Sequence, residues 1–438
     1  MKQLITLFSL TLVISFSAVA QNDTTEKVTK KGWKFGGALP AIAYDSDVGF
    51  RYGALTNFYD YGDGSLYPNY LRSLYLEWSR TTKGSGNNII TYDDKKFLGT
   101  NIRFLADISY LIEQSLDFYG FNGYQSEYFP EFADADDPAY ITRMYYRHDR
   151  RMWRITTDFQ GDLPIKNFKW LAGAGFYSVK AGSVDIDRIN KGKDAADLLP
   201  QVDSVPGLYE NYVNWGIIPD NQKNGGNAIQ LKLGLVYDTR DNEANPMKGI
   251  WTEAFIIAAP SFLGNDQANT NFVLTHRQYF TLIPNRLSFV YRASYTQKLS
   301  GENAFYMLPF YYNSKQTQNA FGGSKTIRGV LRNRVVGDAV VFGNIETRWK
   351  ALVTKIGSQD FYIALSAFLD GGRVTQRYEF NQTSGPLVHI GKENWHLGAG
   401  GGIRFALNEN FIVAVDYGRA IKKEDGISGV YIGLNWLF

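Results

Sequence analysis

The amino-acid sequence predicts an all-β protein, a single transmembrane antiparallel β-barrel of about sixteen strands, and three observations lead to this fold class. Apolar residues alternate with mostly polar or small residues over long stretches, as in Ile229–Tyr237. Many of these stretches run to about ten residues or more, the length that a tilted strand needs to cross a bilayer. Four connections are long and others are very short, which is typical of a barrel whose long loops share one rim.

The composition excludes several other classes of protein. The chain has 438 residues, a formal net charge of +3 and no Cys. A near-neutral chain does not show the basic face that nucleic-acid binding requires, so no nucleic-acid partner is expected. Without Cys there are no disulfides, thiolate metal sites or Cys nucleophiles. The chain is rich in Gly (43 residues) and poor in Pro (13 residues), which fits many strands joined by turns.

Residues 1–20 are predicted to be a secretory signal peptide. Lys2 supplies the positive charge, Leu4–Phe16 is apolar, and Ala18-Val19-Ala20 is a small-residue cleavage site. Residues 21–32 are then a short periplasmic lead-in, and the barrel spans residues 33–438. No later stretch approaches the ~20 apolar residues of a transmembrane helix, so we expect an exported chain.

The predicted strands and connections have approximate boundaries. The first strand is expected at Trp33–Tyr44, the sixth at Tyr140–Gly161 and the last at Ser428–Phe438. The long connections, which all fall on one rim in this count, are Gln114–Ala139, Ala181–Gly225, Gly301–Val336 and Gln376–Glu393. The tightest turns are predicted at Leu163-Pro164, Pro284-Asn285 and Asn408-Glu409.

The last predicted strand carries a second signal. Its apolar residues recur at every second position, at Val430, Ile432, Leu434, Trp436 and Phe438. A terminal aromatic residue that closes such a strand resembles the sorting signal of outer-membrane barrels. Trp436 and Phe438 are therefore expected to direct assembly by the barrel-assembly machinery. This places the protein among the lipids of the outer membrane of a Gram-negative bacterium, as an integral protein released from its signal peptide.

Three segments in a fixed order carry a family resemblance. The first is Tyr237–Asn242 with Pro246 and Gly249, between two strands. The second is the loop motif Gly322-Gly323-Ser324, followed by Ile327-Arg328-Gly329, and the third is the pair Glu346 and Asp370 on successive strands. Together they resemble the BamA/TamA superfamily of outer-membrane assembly and secretion barrels, also called the bacterial surface antigen family. The resemblance covers about Trp33–Phe438.

The resemblance implies that the sixth loop folds back into the lumen, where Arg328 meets Glu346 and Asp370. The strand alternation independently predicts that both carboxylates point inward. A guanidinium fork can bridge two carboxylates through charge-assisted hydrogen bonds, and the alternative is a hydrated lumen charge without a fixed partner. The family's aromatic residue at the fourth position of the loop tip is replaced here by Val330.

By the same resemblance, the barrel is expected to assist the insertion or translocation of outer-membrane proteins, or to remodel the outer leaflet. Family assembly factors carry periplasmic polypeptide-transport-associated (POTRA) repeats, whereas only residues 21–32 are available here. That length is far below the ~40 residues of an independent domain, so a protein partner is expected to supply periplasmic recognition. A passive solute pore and a structural surface antigen are the alternatives.

An enzymatic function is not expected. The four histidines, none in a zinc-site or hydrolase spacing, are His148, His276, His389 and His396. Gly398–Gly402 lacks the dinucleotide-binding spacing and indicates close strand packing or a bend. Asp134, Asp136 and Asp137 fit a solvated loop tip better than a calcium site. No catalytic residue, cofactor or metal is therefore predicted.

Overall fold

The computed structural model of the chain describes residues 30–45, 49–67, 69–315, 317–319, 321–357, 359–388, 391–407 and 410–438. The predicted signal peptide, residues 21–29 of the predicted lead-in, and the predicted turn at Asn408-Glu409 lie outside the described residues. His389 also lies outside them.

Sixteen antiparallel strands form one sheet, and each strand pairs with the next strand along the chain. The first strand has two parts, β1 and β2, which both pair with β3. The strands are β1 (Trp33–Pro40), β2 (Ala43–Asp45), β3 (Gly49–Asp60), β4 (Arg72–Thr81), β5 (Gly86–Asp94), β6 (Ile102–Asp117), β7 (Arg147–Asp162), β8 (Phe168–Gly182), β9 (Gly225–Asp238), β10 (Gly249–Ala259), β11 (Asn269–Ile283), β12 (Leu287–Gly301), β15 (Ala339–Ile356), β16 (Gln359–Gln376), β17 (His396–Leu407), β18 (Phe411–Ala420) and β19 (Ser428–Leu434). The numbers β13 (Phe310–Tyr311) and β14 (Gln318–Asn319) belong to a short hairpin in a loop. The predicted fold class is confirmed.

The two faces of the sheet have opposite polarity. On β9, Leu233 is 68% exposed to the outside, and on β15 Ile345 is 47% exposed. Glu346, the neighbour of Ile345, is fully buried inside, as is Asp370 on β16. Membrane barrels have an apolar outer face around a polar interior, because their outer surface contacts the hydrocarbon of the lipids.

Four long loops lie at the same end of the barrel, as the sequence predicted. We name them L3 (residues 118–146), L4 (183–224), L6 (302–338) and L7 (377–395). L4 contains two short helices, α1 (Ile186–Asn190) and α2 (Leu208–Asn214). Within the described part of the chain, no helix has the length and apolarity that a membrane span requires.

The sixth predicted strand, Tyr140–Gly161, is too long at its start. The observed strand, β7, begins at Arg147 because the chain turns just before it. The backbone N–H of Tyr145 donates to the carbonyl of Thr142 at 3.0 Å, and that of Arg147 donates to the carbonyl of Met144 at 3.0 Å. Residues 140–146 therefore belong to L3, and their aromatic side chains pack among the loops.

The long loops share a buried aromatic cluster. Phe118 of L3 meets Tyr212 of L4 with ring centroids 5.4 Å apart, and Phe121 of L3 meets Tyr378 of L7 at 4.8 Å. Phe305 of L6 joins the same cluster. Burial of large aromatic side chains is strongly stabilising, so these four loops form one packed cap.

The two ends of the sheet meet through side chains. In the backbone pairing of the described residues, β1 and β2 pair with β3, and β19 pairs with β18. Across the two ends of the sheet, the Tyr59 hydroxyl donates to the Asn410 carbonyl at 2.9 Å, and the Asn410 amide donates to Tyr61 Oη at 3.2 Å. A Cβ added at Gly37 on β1 would lie 2.6 Å from the Phe411 ring on β18. These contacts bring β1 and β3 close to β18 and the residue before it, and we call this meeting of the two ends of the sheet the seam.

The loop arrangement predicts surface accessibility in cells. Because the chain has no Cys, single cysteines can be introduced cleanly. Leu387→Cys in L7 (82% exposed) and Leu198→Cys in L4 (51% exposed) should react with a membrane-impermeant maleimide on intact cells. Ile165→Cys, 64% exposed in the short β7–β8 turn, should react only after permeabilisation. Labelling of the Ile165→Cys variant on intact cells at the rate of Leu387→Cys would contradict the topology.

Candidate functional site

L6 enters the lumen at two places. The hairpin of β13 and β14 reaches one part of the barrel wall, and the tip at Ile327-Arg328-Gly329 reaches another. Phe310 and Tyr311 of the hairpin and Ile327 and Arg328 of the tip are buried. The loop that the sequence singled out therefore lies inside the barrel.

Two glycines shape the tip. Gly322 and Gly323 have φ angles of +101° and +77°, which a side chain would disfavour. The N–H of Gly323 donates to the carbonyl of Val330 at 2.8 Å, and the N–H of Gly322 donates to Thr326 Oγ1 at 2.8 Å. These bonds close a compact turn that presents Arg328 to the wall.

Arg328 is fully buried and contacts both carboxylates that the sequence pointed to. Its Nε donates to Asp370 Oδ2 at 2.7 Å and its Nη2 donates to Asp370 Oδ1 at 3.1 Å. Its Nη1 donates to Glu346 Oε2 at 2.9 Å. The backbone N–H of Arg328 also donates to Asp370 Oδ2 at 3.0 Å. The structure thus brings these three residues together, and the two-point contact with Asp370 fixes the plane of the guanidinium.

An aromatic ring completes the surroundings of the cation. The guanidinium carbon lies 3.4 Å from the centroid of the Phe368 ring, which is close enough for a cation–π interaction. Burial alone would lower the pKa of Arg328, but Asp370 and Glu346 raise it above its ordinary value. Arg328 therefore stays charged, and its position depends on the anions around it.

The ion pairs continue beyond the three predicted residues. Arg328 Nη1 also lies 3.4 Å from Asp416 on β18, and Asp416 accepts two hydrogen bonds from Arg404, at 2.6 and 2.9 Å. Glu346 Oε1 accepts from Arg348 Nε at 2.8 Å. We call this set the lumen ion-pair array; its members are Arg328, Arg348, Arg404, Glu346, Asp370 and Asp416. Asp416 and Arg404 were not predicted as members, although inward alternation on β17 and β18 could have suggested them.

Glycines in the wall let the loop backbone come close. A Cβ added at Gly398 on β17 would overlap the carbonyl oxygen of Arg328, and one at Gly418 would lie 2.8 Å from the nitrogen of Gly329. Gly329 itself has a φ of +94°, and its N–H donates to the Tyr431 hydroxyl at 2.9 Å. The Gly-rich run Gly398–Gly402 therefore serves close packing, as the sequence indicated.

The apolar tip residues pack against the lumen wall. Ile327 is fully buried and Val330 is 1% exposed. They share a cluster with Tyr311, Phe321 and Phe342. Val330, which replaces the family's aromatic residue, is thus a core residue of the loop, and aromatic contacts come from its neighbours.

The last strand differs from the prediction. It ends at Leu434, because Asn435 has a φ of +68° and turns the chain inward. Trp436 and Phe438 are therefore buried in the lumen, 7% and 9% exposed, and do not continue the lipid-facing alternation of Ile432. Their predicted role in sorting stays a prediction.

The inward end of the chain joins the ion-pair array. Arg348 Nη2 donates to the carbonyl oxygen of Phe438 at 2.9 Å. The guanidinium carbons of Arg348 and Arg404 lie 4.4 and 4.8 Å from the Trp436 ring centroid. Glu346 and Asp416, which contact the L6 tip, therefore also pair with the two arginines that contact the end of the last strand.

The L6 hairpin is fixed at the short-turn end of the barrel. Lys315 Nζ lies 3.0 Å from Glu243 Oε2 in the β9–β10 turn, and the N–H of Ser314 donates to Glu253 Oε2 at 2.8 Å. Burial lowers the pKa of Lys315 to about 8, against the opposing effect of Glu243. L6 thus runs from the long-loop end to the opposite end of the lumen, a path that the sequence did not indicate.

The turn motif that began the family resemblance is a rigid connection. Arg240 Nη2 pairs with Asp238 at 2.6 Å, and the Arg240 guanidinium carbon lies 4.1 Å from the centroid of the Trp251 ring. The Asp241 carboxylate accepts from the backbone N–H of Met247 at 3.0 Å. These contacts brace the β9–β10 turn that receives the hairpin.

Among the described residues, no group of three or more His, Asp or Glu side chains is placed to hold a metal ion. The carboxylates of Asp134 and Asp137 accept hydrogen bonds from backbone N–H groups of their own loop, at 3.1 and 2.8 Å.

The fold and the buried loop define an outer-membrane β-barrel whose lumen is occupied by its own sixth loop. The family model of the Omp85 superfamily domain matches residues 151–437, and the chain belongs to this superfamily. Membership indicates the outer membrane of a Gram-negative bacterium as its location.

Solved structures support the fold. BamA from Haemophilus ducreyi, lacking POTRA domains 1–3, has a TM-score of 0.50 and 15% identity, with 92% of this chain and 71% of that chain covered. CdiB from Escherichia coli has a TM-score of 0.51 and 9% identity, with 93% of this chain and 62% of that chain covered. No curated protein matches the chain.

Removing the central cation should destabilise the barrel. Arg328→Ala leaves Asp370 buried without another cation at ion-pair distance among the described residues. Loss of one partner of a buried pair costs about 3–5 kcal/mol of unfolding free energy. Arg328→Lys should recover little, because an ammonium cannot make the two-point contact.

A double-mutant cycle separates this coupling from general damage. Arg328→Ala/Asp370→Asn should be more stable than Arg328→Ala, because the uncompensated carboxylate is gone. Urea unfolding in detergent measures the free energies, and proteolysis of L6 reports its release. Zero coupling, with L6 still protected, would show that the array does not hold the loop.

The close approach of the Arg328 backbone to Gly398 gives a second test of how the L6 tip is held. Gly398→Ala should push the Arg328 backbone away from β17 and lower the unfolding free energy by about 1–3 kcal/mol, the usual effect of overpacking. Gly182→Ala on β8 is the matched control, because nothing lies within 4 Å of a Cβ added there. The two variants are compared by heat-modifiable gel mobility and L6 proteolysis. Equal behaviour would mean that the close approach at Gly398 is unimportant.

Proposed function

We propose that this barrel assists the insertion of proteins into the outer membrane, or their translocation across it, without enzymatic chemistry. The observation that carries the proposal is the lumen ion-pair array, which holds the L6 tip against the wall of an Omp85 superfamily barrel. Arg348 and Arg404 of the same array make cation–π contacts with Trp436 at the end of the last strand. The L6 tip and the end of the last strand are thereby joined through shared ion pairs.

The seam is the place where we propose that clients engage. Side chains of the described residues contact each other there, such as Tyr59 with Asn410. We propose that few backbone hydrogen bonds join the first strand to β19. Side-chain contacts can separate without breaking a row of backbone hydrogen bonds. A client strand could then pair with the exposed edge of β19, which is the usual way an open sheet edge binds a peptide.

A passive pore is the second candidate, and the lumen argues against it. The L6 hairpin reaches the β9–β10 turn through Lys315 and Glu243, and the long loops share a buried aromatic cap. Solute flow through the lumen would require these buried contacts to separate. We further propose that a separate protein supplies periplasmic recognition of clients.

Cross-linking the seam tests the function. In a Gly37→Cys/Phe411→Cys variant, a short reducible bis-thiol reagent should join β1 to β18. The variant is made the sole copy in the native host, and newly assembled outer-membrane barrels are quantified. We expect client assembly to fall at least tenfold on cross-linking and to recover on reduction.

Both single-Cys variants serve as controls for the reagent. Planar-bilayer conductance of the purified protein distinguishes a passive pore from a barrel that acts at its seam. A pore would conduct whether or not the seam is cross-linked. Full client assembly with a quantitatively cross-linked seam would rule out lateral engagement. Large conductance unchanged by the cross-link would favour the pore.

A further inference from the structure

A cavity of 370 Å³ lies in the lumen at the short-turn end, which faces the periplasm in an outer-membrane barrel. Residues of the β3–β4 turn, including Tyr70, and of the β9–β10 turn, including Glu243, line it. The inner side of β19 and the inward residues Trp436 and Phe438 form another wall. The cavity therefore borders both the periplasmic opening and the seam.

Five cationic side chains line the cavity, and three of them have carboxylate partners. Arg240 pairs with Asp238 at 2.6 Å, Arg277 with Glu253 at 2.9 Å, and Lys315 with Glu243 at 3.0 Å. The two acidic residues of the lining are also engaged. Glu243 lies within 3.2 Å of Lys95, Arg103 and Lys315, and Asp416 pairs with Arg404 at 2.6 Å. These pairs neutralise one another.

The other two cations, Arg292 and Lys325, form no ion pair with a described carboxylate, and Glu77 acts on Lys325 only from beyond ion-pair distance. Arg292 is 4% exposed; its Nε donates to Asn344 Oδ1 at 2.8 Å and its Nη2 donates to the Lys325 carbonyl at 3.1 Å. Its remaining nitrogen, Nη1, donates no hydrogen bond to a described residue. The Lys325 side chain is exposed to the cavity. A buried guanidinium without a counter-ion is unfavourable, so this corner of the cavity attracts an anion.

Aromatic rings hold the unpaired guanidinium in place. The Arg292 guanidinium carbon lies 4.9 Å from the Phe342 ring centroid, 5.0 Å from that of Phe438 and 5.7 Å from that of Tyr311. Rings on several sides restrict the rotation of its plane. A preorganised fork loses little entropy when it binds a tetrahedral anion.

We propose that the cavity binds a phosphate-class anion, a phosphate monoester or diester, between the Arg292 guanidinium and the Lys325 ammonium. Both groups are common phosphate ligands: here the guanidinium would donate through its remaining nitrogen, Nη1, and the ammonium would act as a point charge. Two sources of this chemistry reach the cavity: a phospholipid headgroup entering through the seam, and a soluble phosphorylated compound entering from the periplasm. The site is independent of the proposed role in client insertion.

The experiment uses the full barrel, purified in a phosphate-free neutral detergent. Inorganic phosphate is titrated and the unfolding temperature is followed, with acetate at matched ionic strength as the carboxylate comparison. We expect phosphate to stabilise the barrel and acetate not to. In Arg292→Gln/Lys325→Gln the apparent phosphate affinity should fall at least tenfold, whereas Lys248→Gln, which removes an exposed turn cation, should retain it.

Lys325→Gln alone keeps the proposal testable if the Arg292 change prevents folding, because Lys325 is exposed on a loop. Native mass spectrometry of barrel extracted from vesicles of phosphatidylglycerol distinguishes the sources. A lipid retained one-to-one by wild type and lost in the double variant assigns a headgroup. Stabilisation by phosphate with no retained lipid assigns a soluble compound. Equal phosphate affinity in wild type and Lys325→Gln, or equal stabilisation by acetate, would overturn the site.

Discussion

The buried Arg328 guanidinium is the interaction on which the interior of this barrel depends. A fully buried cation is strongly unfavourable unless anions and hydrogen bonds replace water. Asp370 supplies three of these hydrogen bonds, one of them to the backbone, and Glu346 supplies a fourth. Because the carboxylates lie on separate strands, the correct contact forms only when the loop tip reaches its one position.

Close packing makes that position specific. Gly398 and Gly418 leave room for the backbone of Arg328 and Gly329 to lie directly on the wall. The tip is therefore held by shape as well as by charge. Its charges continue through Asp416 and Arg404 to Trp436. The loop tip and the end of the last strand are therefore contacted by one connected set of side chains.

Strand alternation accounts for how much could be predicted from sequence. A period of two separates inward from outward residues, which is enough to place Glu346 and Asp370 inside and Ile345 outside. It does not show which inward charges meet, because register between strands that are distant in sequence sets those contacts. Asp416 and Arg404 were missed for this reason, as was the contact of Lys315 with Glu243.

The last strand shows a second limit. Its apolar alternation continues through Phe438, so the pattern alone predicts a lipid-facing residue there. Asn435 lies in the left-handed region of backbone conformation and turns the final residues toward the lumen. Asn adopts that conformation more readily than most residues, and it interrupts the strand before Trp436. A local backbone preference thus decides which side of the wall an aromatic side chain occupies, a choice that hydrophobicity cannot make.

Two lumen arginines illustrate how the same side chain can serve different ends. Arg328 has Asp370 and Glu346 at hydrogen-bond distance, and every described contact favours one fixed position. Arg292 is nearly as buried, yet its hydrogen bonds go to neutral oxygens and its faces to aromatic rings. Because carboxylates of the same chain compensate the charge of Arg328, this residue serves to hold the L6 tip in place. Arg292 instead keeps an uncompensated charge beside a cavity. An external anion that enters the cavity can reach this charge and compensate it.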